Sequence, residues 1–364
     1  MSKRAKIIAM VQLPPPMHGA AKMNRHAIDA LSRVFDLHVI EMHFSKDLSD
    51  IGRPTFGKVF HAIWLALRLI CTLPASRAFY ICFAPRGAAY YRDSLYVLIA
   101  KLFRVPAIIH LHGRGLPAMR QTRFSAWFQK GVFSDQTVIL LGETLRSEIT
   151  GLNCASTIIA NCLDDDAFAK PVSEHWKPQT PLRLLWLSNL FRAKGLETLL
   201  AACALLDNQN IAFELTIAGA SGDINPPMLR ELLHSYGIDA NTRYIGPATA
   251  HERKILFRST DLFVFPTNYA NEAQPLVVLE AMASGIPVIT SAIATLPEFV
   301  IHGQTGWLCR PNGPEKLAQT IIDVTRSADT THQVRVNARS VCETRFTRDR
   351  FTKEIISTIR NAMR

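Results

Sequence analysis

The chain has 364 residues, 48% hydrophobic and 20% charged, which excludes a disordered polypeptide and exceeds what one hydrophobic core usually organises, so two domains of roughly 150 to 200 residues are expected. The net charge of +11 is uneven: residues 1–164 hold 20 Lys and Arg against 10 Asp and Glu, whereas residues 165–364 hold 21 against 20. A field of that sign draws an anionic partner to the first half, be it nucleic acid, an anionic lipid surface or a phosphorylated substrate. Seven scattered cysteines without a CxxC pair point to neither a disulfide framework nor a zinc site, and fit a reducing compartment.

The basic start has too short an apolar part for a signal peptide and reads as the lead into a strand at residues 6–12. The sequence PPPMHGAA at 14–21 is a tight loop before a helix beginning near Ala21, and Gly19 in it permits close backbone approach to a phosphate or sugar. A strand at 37–41 follows. Phe56, Val59, Phe60, Ile63, Trp64, Leu67, Ile70 and Cys71 then recur at helical spacing, which suits a packed core helix as well as a membrane-facing one. His61 and Arg68 interrupt this stretch, so a membrane span is not expected and any membrane contact is expected to be peripheral.

Strands are expected at 78–84 and 106–111, the second running into IIHLHGRG at 108–115. His110 and His112 alternate with apolar residues and therefore point to one side of the strand end; with no third ligand in view, they do not read as a metal site. Between 114 and 133, Arg114, Arg120, Arg123 and Lys130 are mixed with Phe124, Trp127 and Phe128, the composition of an interfacial helix on an anionic bilayer surface, with an ordinary domain helix as the alternative. Further strands are expected at 136–141 and 156–160. Charges, Pro171 and Pro178 then replace periodicity, giving a first domain at 1–165, a linker at 166–180 and a second domain at 181–364. Asp164 to Asp166 contain Asp-x-Asp, which at this place reads as linker or helix start.

In the second domain, apolar runs at 182–188, 213–218, 243–245, 261–265 and 286–290 alternate with helical patterns. The whole chain therefore reads as α/β, two successive doubly wound parallel sheets, with the last helix, about 347–364, open to packing back on the first domain. Ligands of such sheets sit outside the carboxyl ends of the strands. At 261–287, DLFVFPTNYANEAQPLVVLEAMASGIP, a strand ends, Pro275 suits the first turn of a short helix and Gly285 its C-terminal cap. The amides of Gln274, Leu276 and Val277, with the helix dipole behind them, form a seat for a diphosphate. Glu272 and Glu280 bracket that seat, about 10 Å apart at helical rise, and carboxylates accept paired hydroxyl donors well.

NEAQPLVVLEAMASGIPVITS at 271–291 resembles the Glu-x7-Glu segment of glycosyltransferase family 4. LSNLFRAKG at 187–195 resembles its phosphate-binding Lys-Gly turn, Ile-Ala-Gly at 217–219 its second-strand Ala-Gly, and HGQTGWL at 302–308 its late Gly-x-Thr-Gly turn, with Glu298 at the place of an additional acid. The resemblance spans nearly all of the second half. It implies the GT-B fold, two Rossmann-like doubly wound parallel-sheet domains facing across a cleft, and a retaining transferase that takes its sugar from a nucleotide diphosphate donor. It implies further that Glu272 contacts the transferred sugar, Glu280 the ribose and Lys194 the diphosphate. His112 aligns with the family's active-site histidine and Gly19 with its first-loop glycine region, leaving His110 as a packed support. Transfer is then expected to proceed by front-face attack, the departing phosphate taking the acceptor's proton, with no metal and no cofactor beyond the nucleotide-sugar substrate.

The chain departs from the family pattern at Asn189, where many members have Arg and where Arg192 is the candidate substitute, and at Gln274, where Phe is common. The basic first half and the family's habits imply a polyprenyl-diphosphate-linked or glycolipid acceptor, polysaccharide or lipopolysaccharide biosynthesis, and a cytoplasmic protein attached peripherally to the inner face of the cell membrane. The alternatives are a phosphorylase or nucleotide-sugar epimerase on the same fold, and a nonenzymatic nucleic-acid-binding protein. Nucleic acid is not an expected partner, because neither a zinc finger nor an RRM core is present.

Overall fold

The computed structural model describes residues 4–15, 18–44, 56–168, 172–173 and 175–364; Pro16, Met17 and Pro171 of the sequence reading lie outside them. The chain divides into two compact units, Met1–Cys162 together with Arg348–Arg364, and Leu163–Thr347.

The first unit runs β1 (Lys6–Val11), α1 (Gly19–Ser32), β2 (Asp36–Glu41), α2 (Phe56–Thr72), β3 (Ala78–Phe83), α3 (Gly87–Leu102), β4 (Ala107–Leu111), α4 (Arg123–Phe133), β5 (Thr137–Leu140) and β6 (Ala155–Ile158). Its strands form one sheet in the order β2-β1-β3-β4-β5-β6, parallel throughout. Ile7 to Val11 and Ala78 to Ile81 are fully buried, because a parallel sheet covered on both faces needs apolar side chains in both directions. That is why these strands are legible as uninterrupted apolar runs.

The second unit runs β7 (Leu182–Leu187), α5 (Leu196–Asn208), β8 (Phe213–Ala218), α6 (Pro226–Tyr236), β9 (Thr242–Tyr244), α7 (Ala250–Arg258), β10 (Leu262–Phe265), α8 (Leu276–Ala283), β11 (Val288–Ser291), β12 (Trp307–Cys309), α9 (Pro314–Arg326) and α10 (Ala328–Arg345). Its sheet order is β12-β11-β10-β7-β8-β9, again all parallel. The strand β12 has no counterpart in the sequence reading; three residues emerging from a Gly-x-Thr-Gly turn are too few to display a period. The final helix, α11 (Arg348–Ala362), belongs to the first unit, where its Arg348 pairs with Asp29 of α1 at 2.9 Å.

Two differences from the sequence reading concern helix ends and faces. The first helix begins at Gly19, two residues early, because the His18 side chain caps it by accepting the Ala21 amide. More consequentially, α2 buries only Leu65, Ala66 and Leu69 and turns most of its apolar residues outward. With the 3-10 turn that continues it to Ala75, it is long and apolar enough by length and composition to cross a membrane, His61 and Arg68 notwithstanding.

Candidate functional site

In the second sheet the chain runs outward in one direction through β8 and β9 and in the other through β10, β11 and β12, so the order reverses between the neighbours β7 and β10. Loops leaving the carboxyl ends of two such strands flank the crevice where open α/β sheets bind ligands. Here the two loops are closely joined. The Asn268 amide donates to the Ala193 carbonyl at 2.7 Å. Gly195, with φ +80, passes so near Pro266 that a Cβ there would stand 2.0 Å from the Pro266 carbonyl oxygen.

This close approach sets Lys194 against Glu272: Nζ donates to Oε2 at 2.6 Å, with the two side chains only 14% and 9% exposed. The ammonium also lies over the Tyr269 ring, 4.4 Å from its centroid, and Thr267 Oγ1 donates to the same carboxylate oxygen at 3.5 Å. A buried ion pair is costly to break from one side, since the remaining charge is left unpaired in a poorly solvated place. An incoming anion that takes Lys194 satisfies that charge and releases the carboxylate to accept other donors.

Beside the pair, α8 starts with Pro275 as its N-cap in extended conformation rather than inside the first turn. The amides of Leu276 and Val277 lie in that turn, beyond the reach of any carbonyl of the helix itself. The approach is held by Thr295, which donates to the Ala273 carbonyl through its amide at 3.2 Å and its hydroxyl at 2.7 Å, and Gln274 is buried beside it. Further along α8, Glu280 pairs with Arg253 of α7 at 3.3 Å. Arg253 was not among the residues expected at the site; only its place on a neighbouring helix, 27 positions away in sequence, reveals it.

Arg192 stands apart from Lys194: its guanidinium pairs with Glu197, and its amide donates to Asp223 at 2.7 Å. Gly219 is needed where β8 ends, because a Cβ would fall 1.7 Å from the Ser188 carbonyl oxygen at the end of β7. In the late turn, the Leu308 amide donates to His302 Nδ1 at 3.1 Å, and the Glu298 carbonyl accepts from Arg345 at 2.8 Å. Asp166, in the Asp-x-Asp segment, pairs with Lys254. Among the described residues no group of three His, Cys, Asp or Glu side chains clusters as a metal site requires.

In the first unit, His110 and His112 at the end of β4 lie with ring centroids 4.0 Å apart and their planes tilted by 34°. His110 is fully buried and its Nδ1 meets the Tyr80 hydroxyl at 2.7 Å, whereas neither ring nitrogen of His112 has a hydrogen-bond partner and both are out of contact with solvent. Burial pushes His112 down to about 3, with the charge of His18 adding to the effect, and burial also holds His110 well below the usual histidine range. The pair is thus neutral imidazole near neutral pH, able to donate or accept a hydrogen bond without carrying charge. Gly19, exposed, opens α1 immediately after the capping His18.

The loop carrying His112 is fastened by Glu148, a residue that no motif singles out. Its Oε2 accepts the Gly115 and Leu116 amides at 2.6 and 2.9 Å, and Arg86 donates to the Arg114 carbonyl at 3.0 Å. The residues expected at a membrane divide accordingly. Arg114 faces Glu148 at 3.6 Å, Arg120 donates to the carbonyls of Thr150 and Glu148, and Phe128 packs against Tyr90 and Tyr91. Arg123, Phe124, Trp127 and Lys130 stand exposed on α4.

Residues 171–341, most of the second unit, match the family model described as glycosyl transferases group 1. Among curated relatives, the putative colanic acid biosynthesis glycosyltransferase WcaL of Salmonella typhimurium is 30% identical over 187 residues, 50% of this chain and 45% of that protein. The amylovoran biosynthesis glycosyltransferase AmsK of Erwinia amylovora is 29% identical over 46% of this chain and 41% of its own length. The chain thus spans about half the length of the curated relatives it matches. Among solved structures, Anabaena Alr3699/HepE in complex with UDP superposes with a TM-score of 0.74 at 16% identity, over 98% of this chain and 100% of that one. WaaG, a glycosyltransferase involved in lipopolysaccharide biosynthesis, superposes with a TM-score of 0.68 at 13% identity, over 97% and 99%. At such identities the likeness speaks for fold alone, and the fold is GT-B.

Proposed function

We propose that this chain is a retaining glycosyltransferase of family 4 that moves a sugar from a nucleoside diphosphate donor to a polyprenyl-diphosphate-linked or glycolipid acceptor, in polysaccharide or lipopolysaccharide biosynthesis at the cytoplasmic face of a membrane. The observation that carries the reading is the Lys194–Glu272 pair, 2.6 Å apart, beside the start of α8 at the reversal of the second sheet. Donor diphosphate takes Lys194 and the first-turn amides of α8, and Glu272, released, accepts from hydroxyls of the donor sugar. Glu280 is assigned the ribose diol and Arg253 the task of aiming it.

As the bond between sugar and phosphate breaks, negative charge grows on the leaving diphosphate. A fixed ammonium and aimed amides stabilise that charge as it develops, so transfer proceeds without a metal. The departing phosphate oxygen takes the proton of the attacking acceptor hydroxyl on the same face of the sugar, which retains the anomeric configuration. His112, neutral through burial, is assigned a hydrogen bond to substrate that involves no change of charge. The UDP and UDP-glucose found with HepE support a nucleoside diphosphate sugar as donor class, and the polysaccharide and lipopolysaccharide systems of WcaL, AmsK and WaaG support the acceptor class.

Incubation with labelled nucleotide sugars and extracted lipid acceptor tests the proposal. Label appearing in the lipid fraction with retained configuration, unaffected by a chelator, is the expected result. Isomerised free donor, or sugar release that depends on inorganic phosphate, would replace it with the epimerase or the phosphorylase reading.

A further inference from the structure

We infer that α2, α3 and α4 together form a lipid-facing surface, with α2 lying flat in the interfacial layer of an anionic bilayer. This extends the membrane attachment proposed above from α4 to a three-helix layer led by α2, and rests on that reading only for its biological purpose.

The three helices share one side of the first sheet. The crossovers from β2 to β3, β3 to β4 and β4 to β5 all run in the same direction along the sheet order, and right-handed crossovers in one direction lay their helices on one face. The β1 to β2 connection runs the other way and puts α1 opposite. The layer is continuous: the Tyr96 hydroxyl of α3 donates to the Ala62 carbonyl of α2 at 3.0 Å, and Lys101 of α3 donates to the Gly131 carbonyl of α4 at 2.6 Å.

Of the sixteen exposed large hydrophobic side chains among the described residues, thirteen lie on these three helices or their immediate ends. Phe56 is 96% exposed, Phe60 75%, Phe124 73% and Trp127 70%. A helix on the surface of a water-soluble domain turns its polar side outward; α2 does the reverse, and an apolar area spread over three helices marks a binding surface.

Charge identifies the occupant. The three helices contain one acid, Asp93, whose side chain is fully buried and paired with Arg92 at 2.8 Å. Their other cations include Lys58 and Arg68 on α2 and the exposed Arg123 and Lys130 on α4, and the Arg68 guanidinium lies over the Trp64 ring at 5.0 Å. Apolar side chains ringed by cations, with no exposed acid among them, match acyl chains beneath anionic headgroups. They do not match a second copy of the same surface, since a two-fold contact brings like patches together and leaves these cations without counter-charges. Nor does α2 span the bilayer in this arrangement, because Leu65, Ala66 and Leu69 are packed inward and the Ala62 carbonyl is held by α3.

The test is flotation of the full chain with phosphatidylcholine vesicles with and without about one third phosphatidylglycerol. Wild type is expected to float with the anionic vesicles, and a Phe60→Asp, Leu67→Asp double variant to lose at least about ten-fold in partitioning, since two large apolar side chains leave the acyl region. Both residues are exposed, so the UDP-induced thermal shift is expected to survive in the variant, which separates failure of this surface from failure of the donor-site reading. Brominated lipid is expected to quench wild-type tryptophan fluorescence more than that of Trp64→Phe. Unchanged partitioning of the double variant, or a wild-type dimer that ignores vesicles and that the variant converts to monomer, would overturn the inference.

Discussion

The two units are built on the same parallel-sheet plan, yet they deploy charge in opposite ways. In the second, Asp and Glu slightly outnumber Lys and Arg, 19 to 16 over residues 163–347, and two carboxylates near the sheet reversal are paired, Glu272 with Lys194 and Glu280 with Arg253. In the first, the excess of Lys and Arg is accompanied by an exposed apolar layer on α2, α3 and α4, and the pair at the end of β4 is uncharged histidine. A pre-paired, half-dry ion pair is poised to exchange one partner for a charged ligand. A neutral imidazole is suited to contacts in which no net charge is to be neutralised, and an apolar surface ringed by cations to an anionic bilayer. One scaffold thus supports two kinds of recognition, decided by which side chains the loops and outer helix faces carry.

The sharpest way to break the contrast is Glu272→Ala. It leaves Lys194 unpaired and removes the acceptor for the sugar hydroxyls, so transfer is expected to fall by about 10³-fold or more with secondary structure retained by circular dichroism. Lys194→Ala comes next: titration with a nucleoside diphosphate is expected to show a loss of about 10- to 100-fold in affinity, with binding of the bare nucleoside unchanged. If the nucleoside weakens equally, the lysine is not at the phosphates.

Gly195→Ala attacks the geometry instead of the charge. With φ +80 and the Pro266 carbonyl in the way, it is expected to cost about 1–3 kcal/mol of stability and to weaken nucleotide binding. Gly237→Ala, at φ +69 but facing open space, is expected to cost about 1 kcal/mol and to leave nucleotide binding intact. Chemical denaturation and nucleotide titration of both variants decide it.

The effect expected in the first unit comes from pH. The folded His112 is held at about 3, below its unfolded value, so the unfolded chain takes up the proton first as pH falls. The associated stability is fully present above about pH 6.5 and declines toward pH 3, by at most about 1.4 kcal/mol per pH unit. Hydrogen exchange at β4 measured from pH 7 to 5 is expected to show this decline, and His112→Gln to reduce it, the remainder coming from His110, which burial also holds low.

Much of this was legible in the chain itself. Strands buried on both faces are apolar at most positions, so the sheets could be read as runs, and the order of the glycine turns with Glu272, Glu280 and Lys194 pointed to the donor loops. The ion pairs were not legible: Lys194 and Glu272 are 78 positions apart, and only the Gly195–Pro266 approach brings them into contact. Arg253 and Glu148 were missed for the same reason, since each acts on a loop or helix distant in sequence and neither sits in a motif.

The case of α2 shows where the limit lies. Its spacing established that Phe56, Phe60 and Trp64 share a helical side, but periodicity measures only relative direction around an axis. Whether that side meets the protein or solvent depended on the packing of α2, which turns Leu65, Ala66 and Leu69 inward and leaves the larger residues outside. The sequence alone determined the parallel α/β plan and the chemical groups at the strand ends, because both follow from local composition and order. Tertiary structure decided which charges pair and which apolar faces remain uncovered, because those depend on surfaces that chain distance does not encode.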